Sequence, residues 1–122
     1  MINAKKLYNT ILNDERITAI APKVLDAYPS VITKFPCVIF LDASQNDKEF
    51  ADNLPTVDSL GVEVHIFTKA IANYKTTSEI GIVVANVMKE NYFICRSNSE
   101  VPDVEDNIRH RVMYFIRDVY SL

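Results

Sequence analysis

Few side chains in this sequence could do chemistry near neutral pH. There are two histidines, His65 and His110, and two cysteines, Cys37 and Cys95. To bind zinc the histidines would need a third donor beside them, such as Glu63 or Asp118, and no H-E-x-x-H spacing sets them on one helix face. Both read as strand residues at a sheet rim or a subunit contact. A Cys–His nucleophile needs an exposed thiol whose pKa is lowered by an adjacent base. Cys37 (PCVIF) and Cys95 (YFICR) instead stand inside apolar runs, so both are expected to be buried and inert in a reducing compartment. No G-x-S-x-G elbow occurs. Most carboxylates gather in two polar stretches, 42–56 and 98–107, rather than in a rigid, half-buried pair suited to acid/base work. Gly61 and Gly81 are the only glycines, which excludes a glycine-rich phosphate cradle. No catalytic residue, metal site or cofactor is expected, and the chain reads as a non-enzyme.

The remaining chemistry-bearing pattern lies near the end of the chain. Arg109, Arg111 and Arg117 share one face of a strand with Met113 and Phe115. That mixture suits the core of a protein–protein interface better than a phosphate track. An earlier strand offers Glu63, His65 and Phe67 on the face opposite its main apolar set. Glu63, His65, Phe67, Arg111, Met113, Phe115 and Arg117 are therefore expected on one amphipathic sheet face. A small monomer does not leave such a face bare, so Phe67 and Phe115 should become dry only when copies or partners meet, the rival being that the N-terminal segment covers the face within the same chain.

These residues must be positioned by the elements around them. A helix is expected over residues 3–13, with Leu7, Ile11 and Leu12 at helical spacing, and a second short helix over 14–20. Pro22 and Pro29 bracket an extended connector. The continuous apolar run 35–41 predicts a strand covered on both faces. Residues 42–56 form a long polar loop in which Phe50 and Leu54 stand out as apolar contacts. Alternation over 57–69 sets Leu60, Val62, Val64 and Ile66 on one face of a strand of roughly 30 Å. A helix over 73–91 starts with the capping box Thr76–Glu79, carries the stripe Ile80, Val83, Val84, Val87 and Met88, and ends at Asn91 as the left-handed cap. A strand over 92–97, an acidic loop over 98–107 and a strand over 108–120 complete the chain. The expected fold is one α+β domain, residues 1–122. It has a mostly antiparallel sheet of four or slightly more strands, with two main helices on one face, in the order α-β-β-α-β-β.

Composition narrows the class further. The chain has 122 residues, 48% hydrophobic and 24% charged, which is ordinary for a soluble domain. Thirteen basic against sixteen acidic residues give a net charge of -3, which argues against a protein that grips nucleic acid through phosphates. No apolar window of about 18 residues free of charge is present, so no membrane span is expected. The first residues also lack the pattern of a signal peptide.

In its succession of elements the chain resembles the tail-completion or tail-terminator proteins of long-tailed bacteriophages and prophages. The resemblance runs over residues 7–120. It is carried by the leading helix, the run Pro36-Cys37-Val38-Ile39-Phe40 with its long polar loop, the strand Leu60-Gly61-Val62-Glu63-Val64-His65-Ile66-Phe67, and the helix after Thr76-Thr77-Ser78-Glu79. The strand Tyr92-Phe93-Ile94, the acidic loop and the closing Arg109-His110-Arg111-Val112-Met113-Tyr114-Phe115 complete it. The resemblance implies a virion structural subunit made in the bacterial cytoplasm. It would form a homo-oligomeric ring, usually a hexamer, at the head-proximal end of the tail tube. Its implied partners are the tube protein and a head-completion or neck protein, and DNA would pass through the bore without specific binding. By position, Asp47, Glu49, Phe50, Asp52 and Leu54 of the first loop and Asp103, Glu105 and Asp106 of the second are candidate partner contacts. A neck connector of similar fold and a cytosolic ligand-binding α+β domain are the alternatives.

Overall fold

Two long strands, β3 (Ser59–Lys69) and β5 (Ile108–Asp118), run antiparallel along their whole lengths, from Ser59 opposite Asp118 to Lys69 opposite Ile108. They are the spine of the molecule in a computed structural model that describes residues 4–27, 29–32, 34–43, 59–102 and 107–118. The other strands are β1 (Lys23–Leu25), β2 (Cys37–Asp42) and β4 (Ile94–Val101), and the helices are α1 (Ala4–Leu12), α2 (Glu15–Ile20) and α3 (Thr77–Glu90). The fold is α+β, with one five-stranded sheet in the order β1-β2-β3-β5-β4.

Helix α3 begins as its capping box requires. The Thr76 hydroxyl accepts from the Glu79 backbone N–H at 3.1 Å, and the Glu79 carboxylate accepts from the Thr76 N–H at 2.8 Å. Ile80, Val84, Val87 and Met88 are fully buried beneath the helix. Burying each such side chain stabilises by roughly 1.5–3 kcal/mol. The helix-propensity deficit of a valine is only about 0.5 kcal/mol, so packing decides that this β-branched segment is helical. The helix ends in a Schellman turn: Phe93 N–H donates to Met88 O at 3.0 Å and Tyr92 N–H to Lys89 O at 2.9 Å. Tyr92, at φ 69°, is the left-handed residue. Asn91, expected there, has φ -98° and donates its side-chain amide to Val87 O at 2.8 Å instead.

The main core lies between this helix layer and one face of the sheet. Val38 and Phe40 of β2, Leu60, Val62, Val64 and Ile66 of β3, and Met113 and Phe115 of β5 meet α3 together with Ile11, Ile17 and Ala21. A smaller cluster of Cys37, Ile39 and Phe67 occupies the opposite face, roofed by Leu25, Ile32, Phe35, Leu41 and Ile108.

Several expectations are corrected. The sheet has five strands and is mixed, because β1 in the connector pairs parallel to β2. The short helix expected over 14–20 forms as α2, its first turn capped by the Asp14 side chain, which accepts from Arg16 N–H, so that three helices accompany the sheet. Residues 98–101 continue β4 instead of opening a loop; a register shift between Cys95 and Ser97 lets the strand stay paired with β5. Cys95 is exposed, because β4 is the outer strand of the sheet, while Cys37 is buried. Among the described residues no helix is long and apolar enough to cross a membrane.

Candidate functional site

In an antiparallel pair, residues directly opposite one another point to the same face. Val62 stands opposite Phe115, Val64 opposite Met113, Ile66 opposite Arg111 and Leu60 opposite Arg117. The four β5 residues expected beside Glu63, His65 and Phe67 therefore lie on the other face, under α3. Met113 and Phe115 are each 1% exposed there. Both aromatic rings expected to wait for a second copy, Phe67 and Phe115, are buried within one chain, on opposite sides of the sheet. The expected single seven-residue face is thus two half-sets. Period-two spacing assigns faces within a strand, but the register between strands decides which faces coincide.

The two arginines secure the ends of α3. Arg111 donates through Nε to the Thr77 hydroxyl at 3.2 Å and through a terminal nitrogen to Asn98 Oδ1 at 2.9 Å, while Glu100 accepts from Thr77 at 2.7 Å. Arg117 donates to the Asn91 carbonyl at 2.8 Å, at the negative end of the helix dipole, and its guanidinium lies 5.3 Å from the Tyr92 ring centre. These contacts are structural.

The helix-free face carries the remaining candidates. Going across it, Leu41 of β2, Glu63 of β3 and Tyr114 of β5 form one row; Ile39, His65 and Val112 form the next; Cys37, Phe67 and His110 form a third. His65 and His110 are diagonal neighbours, a separation that two imidazole rings can bridge. Glu63 Oε1 lies 2.8 Å from His65 Nε2, and His65 Nδ1 lies 2.8 Å from His110 Nε2. An ionised carboxylate only accepts, so His65 Nε2 carries a hydrogen and, in the neutral pair, Nδ1 accepts from His110 Nε2–H. The ring centres are 5.1 Å apart, which is the N···N distance plus the two ring radii. The nitrogens therefore point at each other along the line of centres. Phe67 stacks on His110 face to face, with centres 4.1 Å apart and planes 14° from parallel.

This geometry suits a hydrogen bond and not a metal, whose ligands must aim their lone pairs at a shared third point. Among the described residues no group of three or more His, Cys, Asp or Glu side chains is arranged to hold a metal ion. The pairing also departs from the sequence expectation, in which the two histidines stood separately at rims or contacts. The signal in the sequence was that His65 stands out of phase with the apolar stripe of its strand, while His110 shares one of the two apolar faces of β5.

The β5–β4 half of the same face is differently furnished. Val112, Tyr114 and Ile116 are half-buried, and Ile94, opposite Ile116 on β4, is 63% exposed. Away from this face, an open pocket of about 430 Å³ lies between α1 and the ends of β2 and β3, lined by Tyr8, Leu12, Asp26, Phe40, Asp42 and Val62. The Tyr8 hydroxyl lies 3.3 Å from Asp42 Oδ1. The candidate partner contacts Asp47, Glu49, Phe50, Asp52, Leu54, Asp103, Glu105 and Asp106 lie outside the described residues. No family model matches the chain, and no curated protein matches it in sequence.

Proposed function

We propose that the chain is a non-enzymatic structural subunit that assembles with copies of itself into a ring, six-membered as the resemblance above implies, at the head-proximal end of a phage tail tube. There it would join the tube to a head-completion or neck protein in the virion. The observation that carries this reading is the uneven cover of the sheet. Three helices lie on one face, whereas on the other the β5–β4 half leaves Val112, Tyr114 and Ile116 half-buried and Ile94 exposed among the described residues. An apolar strip on a rigid, twisted sheet is suited to docking a neighbour. The interface role moves from Met113 and Phe115, which serve the core, to this strip. The net charge of -3 suits a bore through which DNA phosphates slide without being held.

Light scattering tests this, with the protein alone and mixed with tail tubes. Six subunits of 13.9 kDa each, formed alone or on tube ends, are the expected result. A monomer that never associates with tube ends overturns the reading. Capture of a portal or adaptor protein instead of tube protein would assign the chain to the neck. The pocket beside Tyr8 and Asp42 favours a second reading, a small-ligand domain, since its volume falls in the range of ligand sites. Saturable binding of a small molecule there by a chain that stays monomeric would support that alternative.

A further inference from the structure

β4 has β5 on one side and, among the described residues, no strand on the other. The opposite edge of the sheet, β1, is only 3 residues long, whereas β4 has 8, and every residue from Ile94 to Glu100 is exposed. No proline interrupts it. The outward N–H and C=O groups of such an edge template a further strand. We propose that this edge docks a second copy of the chain. Two β4 strands pair antiparallel about a two-fold axis at Asn98, and the two sheets become one.

The register carries the argument. A two-fold axis sets one residue of an edge strand opposite its own copy, and that residue fixes every other pair. An axis at Arg96 or at Glu100 sets like charges against each other. At Ser97 it would bring Ile94 against Glu100 and Arg96 against Asn98. At Ser99 it would bring Glu100 against Asn98 and Arg96 against Pro102. Only at Asn98 does Arg96 of each copy face Glu100 of the other, with Ser97 facing Ser99 between them. Opposite charges directly across a strand pair stabilise it, and like charges oppose it.

Both charges can take part. Arg96 is the extra residue at the register shift, without a partner on β5, and among the described residues it makes no hydrogen bond or ion pair. The shift bends the strand there, so the regular edge ends at Arg96. Glu100 uses Oε1 for both the Thr77 hydroxyl, at 2.7 Å, and Arg111, at 3.7 Å. That leaves Oε2 for a second cation, on a side chain 46% exposed. The joint is short, so the pair is weak and concentration-dependent. Its axis is perpendicular to the sheet, which puts the helices of both copies on one face and both apolar strips on the other. The contact closes after two copies, unlike the head-to-tail contact of a ring, and stands apart from the ring reading.

The test is cross-linking of the whole chain in a glutathione redox buffer, without tail tubes. In Cys95→Ser/Asn98→Cys the two new thiols meet on the axis, with Cα atoms about 5 Å apart, within disulfide reach. This variant should shift to twice 13.9 kDa on a non-reducing gel. In the parent the two copies of Cys95 would lie roughly 20 Å apart and should stay unlinked. Arg96→Glu, at an exposed position, sets like charges at both pairs and should weaken self-pairing about tenfold in sedimentation equilibrium. Glu100→Arg should do the same, while an equimolar mixture of the two variants restores opposite charges and should pair as the parent does. Linking of Asn98→Cys no faster than of the parent, parental self-pairing by Arg96→Glu, or a mixture no tighter than either variant would each overturn the edge pairing. If Glu100→Arg does not fold, the other two variants decide alone. A ring on tube ends with Asn98→Cys unlinked sinks this contact and not the ring; a linked pair that never caps tubes does the reverse.

Discussion

Val62 of β3 and Phe115 of β5 stand opposite each other in the antiparallel ladder, and both are 1% exposed beneath the helix layer. This pairing assigns β5 its inner face. Phe115→Ala should therefore cost about 3–5 kcal/mol of subunit stability, through lost burial and the cavity left behind. Denaturant unfolding measures it. A loss below about 1 kcal/mol would place the ring outside the core.

The outer strip should respond in the opposite way. Ile94→Asp, at a position 63% exposed, should change subunit stability by no more than about 0.5 kcal/mol. It should nevertheless reduce self-association or tube capping at least tenfold in sedimentation or light scattering. Unchanged assembly would remove Ile94 from the interface.

The two glycines should diverge. A Cβ on Gly61 would lie 2.9 Å from the Ala43 carbonyl oxygen, which is backbone and cannot yield cheaply, so Gly61→Ala should cost about 1–3 kcal/mol. A Cβ on Gly81 would meet side chains alone, Arg111 and Met113 at 3.4 Å and Ile66 at 3.8 Å. Alanine in that helix interior should be neutral or stabilising by up to about 1 kcal/mol. Thermal unfolding of both variants is the check.

Acid sensitivity should involve α2 and α3. Hydrogen bonds from Arg16 hold the Asp14 and Glu90 carboxyls below their usual range, and the Thr76 backbone N–H, then its side chain, does the same for Glu79. A carboxyl whose folded pKa is depressed stabilises the fold above its unfolded pKa, and that stability is lost as pH falls through the folded value. These groups should add no slope between pH 5 and 8 and a decline below about pH 4. Arg16→Ala should flatten part of that decline, and high salt should do likewise, since the pairs are exposed. Separately, Thr76→Ala should lower stability by about 1 kcal/mol. A decline as steep in Arg16→Ala as in the parent would clear Arg16 of the role.

The thiols should separate by rate. Cys95 is exposed and should react promptly with a thiol reagent, whereas Cys37 is buried with its pKa raised by that burial and should react only on unfolding. Equal rates in the native protein would contradict the placement of β2.

Much of the architecture is local in origin and was legible from residue order. The Thr76–Glu79 box, the stripe Ile80–Val84–Val87–Met88 and the alternation through Leu60–Ile66 each depend on spacing within one element, and each forms where its pattern lies. The end of α3 was only half legible, because which residue turns left-handed depends on how Phe93 is drawn into the core.

Tertiary structure alone decided what no single segment encodes. Apolar residues occupy both faces of β5, so its own pattern is indifferent to which face meets the helices; pairing with β3 breaks that tie and sends Met113 and Phe115 inward. The same register brings His110 diagonally beside His65, forty-five positions away in the chain, and so joins titratable groups of two strands on the helix-free face. Contacts across a sheet depend on register, and register is settled by the packing of the whole core.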